Sequence, residues 1–185
     1  YSSIQSSIIL PYPGSKSLYY LFANSGLPSG DGGGFSPGLY YSIIDMSLNG
    51  GKGDVSVTKK LMLEGTSEQI TALKHANGSD FWILTSLFNT NTYCAFQVGT
   101  SVNTIPVRGN FGRVMNDWGI FLKPSPSNDK VVSLVWSSNT VTVYSPLQLF
   151  YFDNSNGTIT DYLEIIDPNY GASFSPNGKI LYSME

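Results

Sequence analysis

The stretch "ITALKHANGSDFWILTS" (70–86) decides the fold. A short run with alternating apolar residues leads into Asn77-Gly78, and a stronger run of aromatic and aliphatic residues follows. Asn-Gly between two such runs is a β-hairpin signal, because glycine and asparagine accept the positive φ that tight hairpin turns require. "TSEQITALKHA" (66–76) is the best helix candidate in the chain, but it is short and runs into the same turn.

Three other segments repeat this grammar: "SSIILPYPGSKSLYYLF" (6–22), "WGIFLKPSPSNDKVVSLVW" (118–136) and "YGASFSPNGKILYSM" (170–184). The charged residues taken to open each second strand are Lys16, Asp80, Lys130 and Lys179, at intervals of 64, 50 and 49 residues. A period near fifty with four strands per unit is the signature of a β-propeller blade. The fold expected is therefore all-β, an incomplete β-propeller of about three and a half four-stranded blades. The blades cover roughly 4–66, 67–108, 109–167 and 168–185, the last truncated. Labelled A to D from the axis outwards, the first has strands near 6–10, 18–23, 39–48 and 57–63. The second has 70–74, 81–86, 92–98 and 104–108, and the third 119–123, 130–136, 147–153 and 158–165. The fourth has only 171–174 and 179–184, so on this reading the chain is an excerpt of a longer ring. Three and a half wedges leave apolar faces open, whereas natural rings close with roughly four to eight.

Composition narrows the function. Charged residues are 12% of the chain, about half the usual share, while aromatics reach 14%. A neutral polar surface over an aromatic β interior points to a secreted or cell-surface protein. The net charge of −3 and the lack of any basic cluster beyond Lys59-Lys60 argue against nucleic acid as a partner. No apolar run approaches the ~20 residues of a membrane-spanning helix. The chain opens on Tyr1 without a signal peptide, so an export signal is expected either to have been trimmed off or never to have existed. A single cysteine, Cys94, excludes an internal disulfide. In "TYCAFQV" (92–98), Cys94, Phe96 and Val98 share one face while Tyr93, Ala95 and Gln97 share the other, which makes Cys94 a buried, inert thiol.

Alternating strand direction sorts the connections onto two ends. A-to-B and C-to-D turns are tight and carry ordinary Pro, Gly, Asn and Asp turn chemistry. The long pieces fall at the other end: 24–38, 86–92, 108–118 and 137–145. Function concentrates in loops free of packing duty, so contacts with protein or glycan are expected there. "RGNFGRVMNDW" (108–118) is the richest, and Arg108, Phe111, Arg113, Asp117 and Trp118 are its candidate partner-binding residues. The plainer alternative packs Trp118 inward and leaves Arg113 and Asp117 as a surface pair.

No catalytic, cofactor or metal residues are assigned. His75 is the only histidine and suits a structural hydrogen bond; with Cys94 alone it does not make a zinc site. "DNSNGTITD" (153–161) lacks calcium-loop spacing and reads as a hairpin turn. "GDGGG" (30–34) precedes no helix that would bind phosphate. Asn77 and Asn156 match glycosylation acceptors, but both are Asn-Gly turns.

"LYYSIIDMSLNGGKGDV" (39–55), "ITALKHANGSDFWILT", "GIFLKPSPSNDKVVSLVW" and "YGASFSPNGKILYSM" resemble the propeller of large modular surface proteins of gliding bacteria, exported by the type nine secretion system. The resemblance runs from Ser6 to Met184. It implies a parent chain with immunoglobulin-like modules and a C-terminal sorting domain beyond this segment, and it implies no catalytic site. The function expected is a non-enzymatic scaffold or adhesin-like module binding protein or glycan at the cell surface. The alternatives are a carbohydrate- or lactone-processing enzyme with its site over the central channel, and a ring completed by another chain.

Overall fold

The computed structural model describes residues 5–25, 38–114, 121–134, 137–138, 143–144, 146–165 and 171–184. They form an all-β chain in which three four-stranded antiparallel sheets and a final hairpin follow one another. The first sheet contains β1 (Ser7–Pro11), β2 (Leu18–Ser25), β3 (Gly38–Asp45) and β4 (Asp54–Glu64). The second contains β5 (Thr66–Lys74), β6 (Phe81–Leu87), β7 (Thr92–Val98) and β8 (Val107–Asn110). In the third, β9 (Phe121–Pro124), β10 (Lys130–Leu134), β13 (Leu147–Asp153) and β14 (Thr158–Ile165) pair in order. A small hairpin of β11 (Ser137–Ser138) and β12 (Val143–Tyr144) fills the link from β10 to β13. β15 (Gly171–Phe174) and β16 (Leu181–Met184) make the last hairpin.

The arrangement is propeller-like. Strands β1, β5, β9 and β15 approach one another and form the inner edge of successive sheets. "TSEQITALK" is a strand, and its polar first half is among the most buried parts of the molecule: Thr66, Ser67, Glu68 and Gln69 are all enclosed. The C strand of the first sheet stops at Asp45, and a turn with a 3₁₀ segment (Asn49–Gly51) replaces its expected last residues. β8 starts three residues later than the sequence suggests, because the chain from 99 to 106 forms a broad loop.

Packing follows the period-two alternation of each strand. On β7, Cys94, Phe96 and Val98 face the first sheet with Tyr20, Phe22 and Leu39, while Tyr93 and Ala95 face the third with Leu122, Val131 and Phe150. On β6, Ile83 joins the first cluster, and Trp82 and Leu84 the second. The second sheet is thus buried on both faces, and each fully enclosed aromatic or aliphatic side chain contributes roughly 1.5–3 kcal/mol. Val132, Leu134 and Leu147 face Ala172 of the last hairpin in the same way.

The tight turns repeat more regularly than the charged residues beside them. Tyr12 N bonds Leu18 O, His75 N bonds Asp80 O, Ser125 N bonds Lys130 O and Ser175 N bonds Ile180 O. These turn openers lie 63, 50 and 50 residues apart. Ile180, rather than Lys179, therefore holds the position of Asp80 and Lys130.

Candidate functional site

Three regions concentrate polar groups: the inner strands, the long-loop end and the tight-turn end. On the inner strands, amides cross-link the sheets. The Gln69 side-chain N–H group donates to Phe121 O (3.0 Å) and Leu134 O (2.9 Å) of the third sheet. The Gln69 backbone carbonyl accepts from Asn24 Nδ2 (2.9 Å) of the first sheet and Thr85 Oγ1 (2.7 Å) of its own. Gln5 pairs both ways with Leu122, accepting its N–H at 2.9 Å and donating to its carbonyl at 3.2 Å, as a neighbouring strand would. Beside Gln69 on β5 lies the buried carboxylate of Glu68, only 2% exposed. A Glu in "TSEQ" looks like a solvated residue, so nothing in the linear text marks it as buried.

At the long-loop end the candidate contact residues have different fates. Arg108 sits on β8 with its side chain exposed, opposite Cys94. Phe111 is half-buried and packs against the cluster between the second and third sheets. Arg113 reaches Glu164 on β14 with paired bonds of 2.7 Å from Nε and Nη2. That ion pair, aided by Gln148 Nε2 at 3.3 Å, holds the Glu164 carboxyl below its usual range despite partial burial. Asp117 and Trp118 lie outside the described residues, as does "GDGGG".

The tight-turn end carries a polar recess of about 280 Å³, lined by Asp80, Gln97, Gly99, Thr100, Ser101 and Asn103. Asp80 is at the turn into β6, and the other five belong to the end of β7 and the loop after it. Partial burial raises the Asp80 pKa, but hydrogen bonding from Asn77, Gln97 and Ser79, with a smaller effect of His75, outweighs this and lowers it. Gln97 Nε2 donates to Asp80 Oδ2 at 3.2 Å, and Ser79 Oγ to Oδ1 at 3.1 Å. Gly99 passes so close that a Cβ there would stand 3.1 Å from Oδ1. The loop is pinned to the first sheet by two phenols: Tyr20 Oη donates to Gly99 O at 3.2 Å, and Tyr12 Oη donates to Thr100 O. The two tyrosine rings stack with centroids 4.8 Å apart. This recess is not legible in the linear text, since its walls come from ordinary turn residues that meet only when β6 and β7 pair.

The remaining residues singled out from sequence make local contacts. His75 Nδ1 accepts Asn77 N at 3.0 Å, and its ring stacks on Trp82 at 5.3 Å. Cys94 is fully buried, and burial pushes its thiol pKa up against a smaller opposing effect of Arg108. Residues 154–157 form the turn between β13 and β14, where Asp153 accepts bonds from Ser155 and Asn156. Asn77 and Asn156 cap their own exposed turns. Among the described residues no three His, Cys, Asp or Glu side chains gather as a metal site, and no helix is long and apolar enough to cross a membrane.

No family model matches the chain, and no curated protein does. Solved structures do. A candidate 6-phosphogluconolactonase from Bacteroides fragilis superposes with a TM-score of 0.55 at 12% identity, over 98% of this chain and 61% of its own length. Sqt1 from Chaetomium thermophilum superposes with a TM-score of 0.53, also at 12% identity, over 98% of this chain and 41% of its own. The chain therefore spans about two-fifths to three-fifths of the structures it resembles. At such identities the likeness is one of fold alone, and it agrees with the succession of inner strands in assigning the chain a propeller-like all-β architecture.

Proposed function

We propose that the chain is part of a larger β-propeller serving as a non-enzymatic binding module of a secreted or cell-surface bacterial protein. The observation that carries this reading is the use made of the inner strands. Gln5, Asn24 and Gln69 spend their amides on backbone groups of neighbouring sheets, so the axial region works as a structural weld. Coverage of only part of each similar structure supports a larger ring, completed by more of the same chain or by another. The resemblance to propellers of gliding-bacterial surface proteins supports the location and the adhesin-like role. Contacts with protein or glycan are assigned to the long-loop end, where Arg108 is the exposed cation and Arg113 and Glu164 form a fixed charged pair.

The test is binding of the full-length protein to surface glycans and to candidate partner proteins, before and after Arg108→Ala, Arg113→Ala and Trp118→Ala. Loss of a hot-spot residue should weaken binding by about tenfold or more. Unchanged binding in all three variants removes the long-loop end from consideration.

A second reading, a propeller enzyme acting on a sugar or lactone, has one specific observation in its favour. Glu68 places a buried carboxylate on an inner strand, where a channel-facing acid or base would be needed. Likeness in fold to a candidate 6-phosphogluconolactonase points the same way. Lactone and glycoside hydrolysis assays on the full-length protein decide between the readings; activity abolished by Glu68→Gln establishes the enzyme.

A further inference from the structure

We infer that the recess at the tight-turn end is a binding site for a neutral saccharide, about one sugar ring in size. This does not rest on the long-loop assignment, since the recess lies at the opposite end of the second sheet.

The argument begins with hydrogen-bonding capacity. Asp80 accepts from Ser79 at Oδ1 and from Gln97 at Oδ2, and Asn77 also hydrogen-bonds to it, which leaves the carboxylate's remaining lone pair as an acceptor. Gln97 donates to Asp80 through Nε2, which leaves its Oε1 as an acceptor. Asn103 uses Oδ1 to accept the Ile105 N–H at 3.0 Å, which leaves its NH₂ as a donor. The hydroxyls of Thr100 and Ser101 have no protein partner among the described residues. One small space thus presents a carboxylate, an amide carbonyl, an amide N–H and two hydroxyls. A sugar hydroxyl both donates and accepts, so it suits a wall on which both kinds of group alternate.

Other ligand classes fit less well. A phosphate or a carboxylate would meet the Asp80 charge, with no Lys or Arg among the lining residues to offset it. An apolar ligand would leave the open polar groups desolvated and unpaired. A bare cation would find one carboxylate, already engaged by Ser79, Gln97 and Asn77, where calcium takes about six to eight oxygens. At about 280 Å³ the recess is near the lower end of small-molecule pockets, ~300–1,000 Å³, which suits one ring rather than a long chain.

The site is also held in shape. Bonds from Gly99 N to Ser101 O and from Asn103 N to Gln97 O, both 3.0 Å, fix the loop on itself. The Tyr12 and Tyr20 hydroxyls fix it to the first sheet. Little ordering remains to be done on binding, which favours even a weak ligand.

The experiment titrates the full-length protein with glucose, galactose, mannose and N-acetylglucosamine, with glucuronate and calcium chloride in parallel arms, observed by saturation-transfer NMR and calorimetry. Two variants report on the recess. Ser101→Trp fills it from an exposed position, and Asn103→Asp keeps the Ile105 bond while removing the donor. Circular dichroism verifies that both fold. Saturable millimolar binding of at least one neutral sugar is expected, with loss of about fivefold or more in each folded variant and weaker binding of glucuronate. No neutral-sugar binding, preference for glucuronate, response to calcium alone, or sugar binding unaffected by both folded variants each overturns the assignment. If a variant misfolds, protection of the wild-type Asn103 side-chain amide signal by sugar serves instead, and an unperturbed signal overturns it.

Discussion

The indole Nε1–H of Trp82, in the second sheet, donates to the carbonyl of Asn154 in the third, 2.9 Å away. Tyr20 occupies the equivalent place in the first sheet, two residues beyond the turn-closing position, and donates to Gly99 O of the second. At both seams, a large aromatic side chain from one B strand thus reaches the C-to-D connection of the next sheet. Asn154 O also accepts Ala76 N at 3.0 Å, so Trp82→Phe removes one bond without orphaning the carbonyl. The expected cost is about 1 kcal/mol, read from the midpoint of urea denaturation. A cost above about 3 kcal/mol would mean that ring volume, not the hydrogen bond, sets this seam.

Gly157 lies beneath the same indole. Its φ is +80°, and a Cβ would sit 2.6 Å from the Trp82 ring. Gly157→Ala should combine left-handed backbone strain with overpacking against a ring that has no free side to move into. A loss of about 2–4 kcal/mol is expected in the same denaturation measurement. The double variant with Trp82→Ala should lose less than the sum of the two single changes, because the clash disappears.

Gln69→Leu tests the axial weld. The substitution removes the Gln69 bonds to Phe121 O and Leu134 O, which remain paired with each other's strands, at about 1 kcal/mol for each bond lost. A loss of about 2 kcal/mol is expected, with hydrogen exchange accelerating at the second-to-third seam. A neutral effect would contradict the structural role given to the inner-strand amides.

Acid should loosen the third sheet. Partial burial raises the Asp129 pKa, but bonds from Ser127, Lys130 and Ser125 and the charge on Lys130 outweigh this and hold it at about 2. Glu164 is lowered by Arg113. A depressed carboxylate pKa contributes stability that is present above the unfolded value, near 4, and is lost as pH falls through the folded value. The melting temperature should therefore fall between about pH 4 and the folded value of about 2. The exposure of Asp129 keeps its own share small. Asp129→Asn combined with Glu164→Gln should flatten this part of the profile; an unchanged slope would assign acid sensitivity to other groups.

Cys94 should react with a thiol reagent only when the protein unfolds. Its side chain is enclosed between the first and second sheets, and burial disfavours the thiolate. Labelling rates that track global unfolding across denaturant concentrations are expected. Rapid labelling of the folded chain would place that seam among the locally open parts of the molecule.

Much of this architecture could be read from residue order, because the forces that set it act over short distances. Runs such as "FWILTSL" and "TYCAFQV" alternate with period two, and the Asn-Gly and Pro-Gly turns between them fix antiparallel pairing. The sharing of faces along β7 and the burial of Cys94 followed from that alternation, while the cover over both faces came from the neighbouring sheets. Turn register was harder, since Lys179 looks like Lys130 in the linear text while the backbone bond falls at Ile180.

The sequence by itself determined the strands, their tight turns and the fifty-residue rhythm, because each depends on steric and solvation preferences of neighbouring residues. Only the tertiary structure decided that polar "TSEQ" would be buried, that Arg113 would pair with Glu164, and that Asp80 would form one wall of a recess. Those outcomes depend on residues far apart in the chain being brought within hydrogen-bonding reach. A hydrophilic side chain can enter the interior when another sheet supplies its partner, and composition along one strand carries no record of that partner.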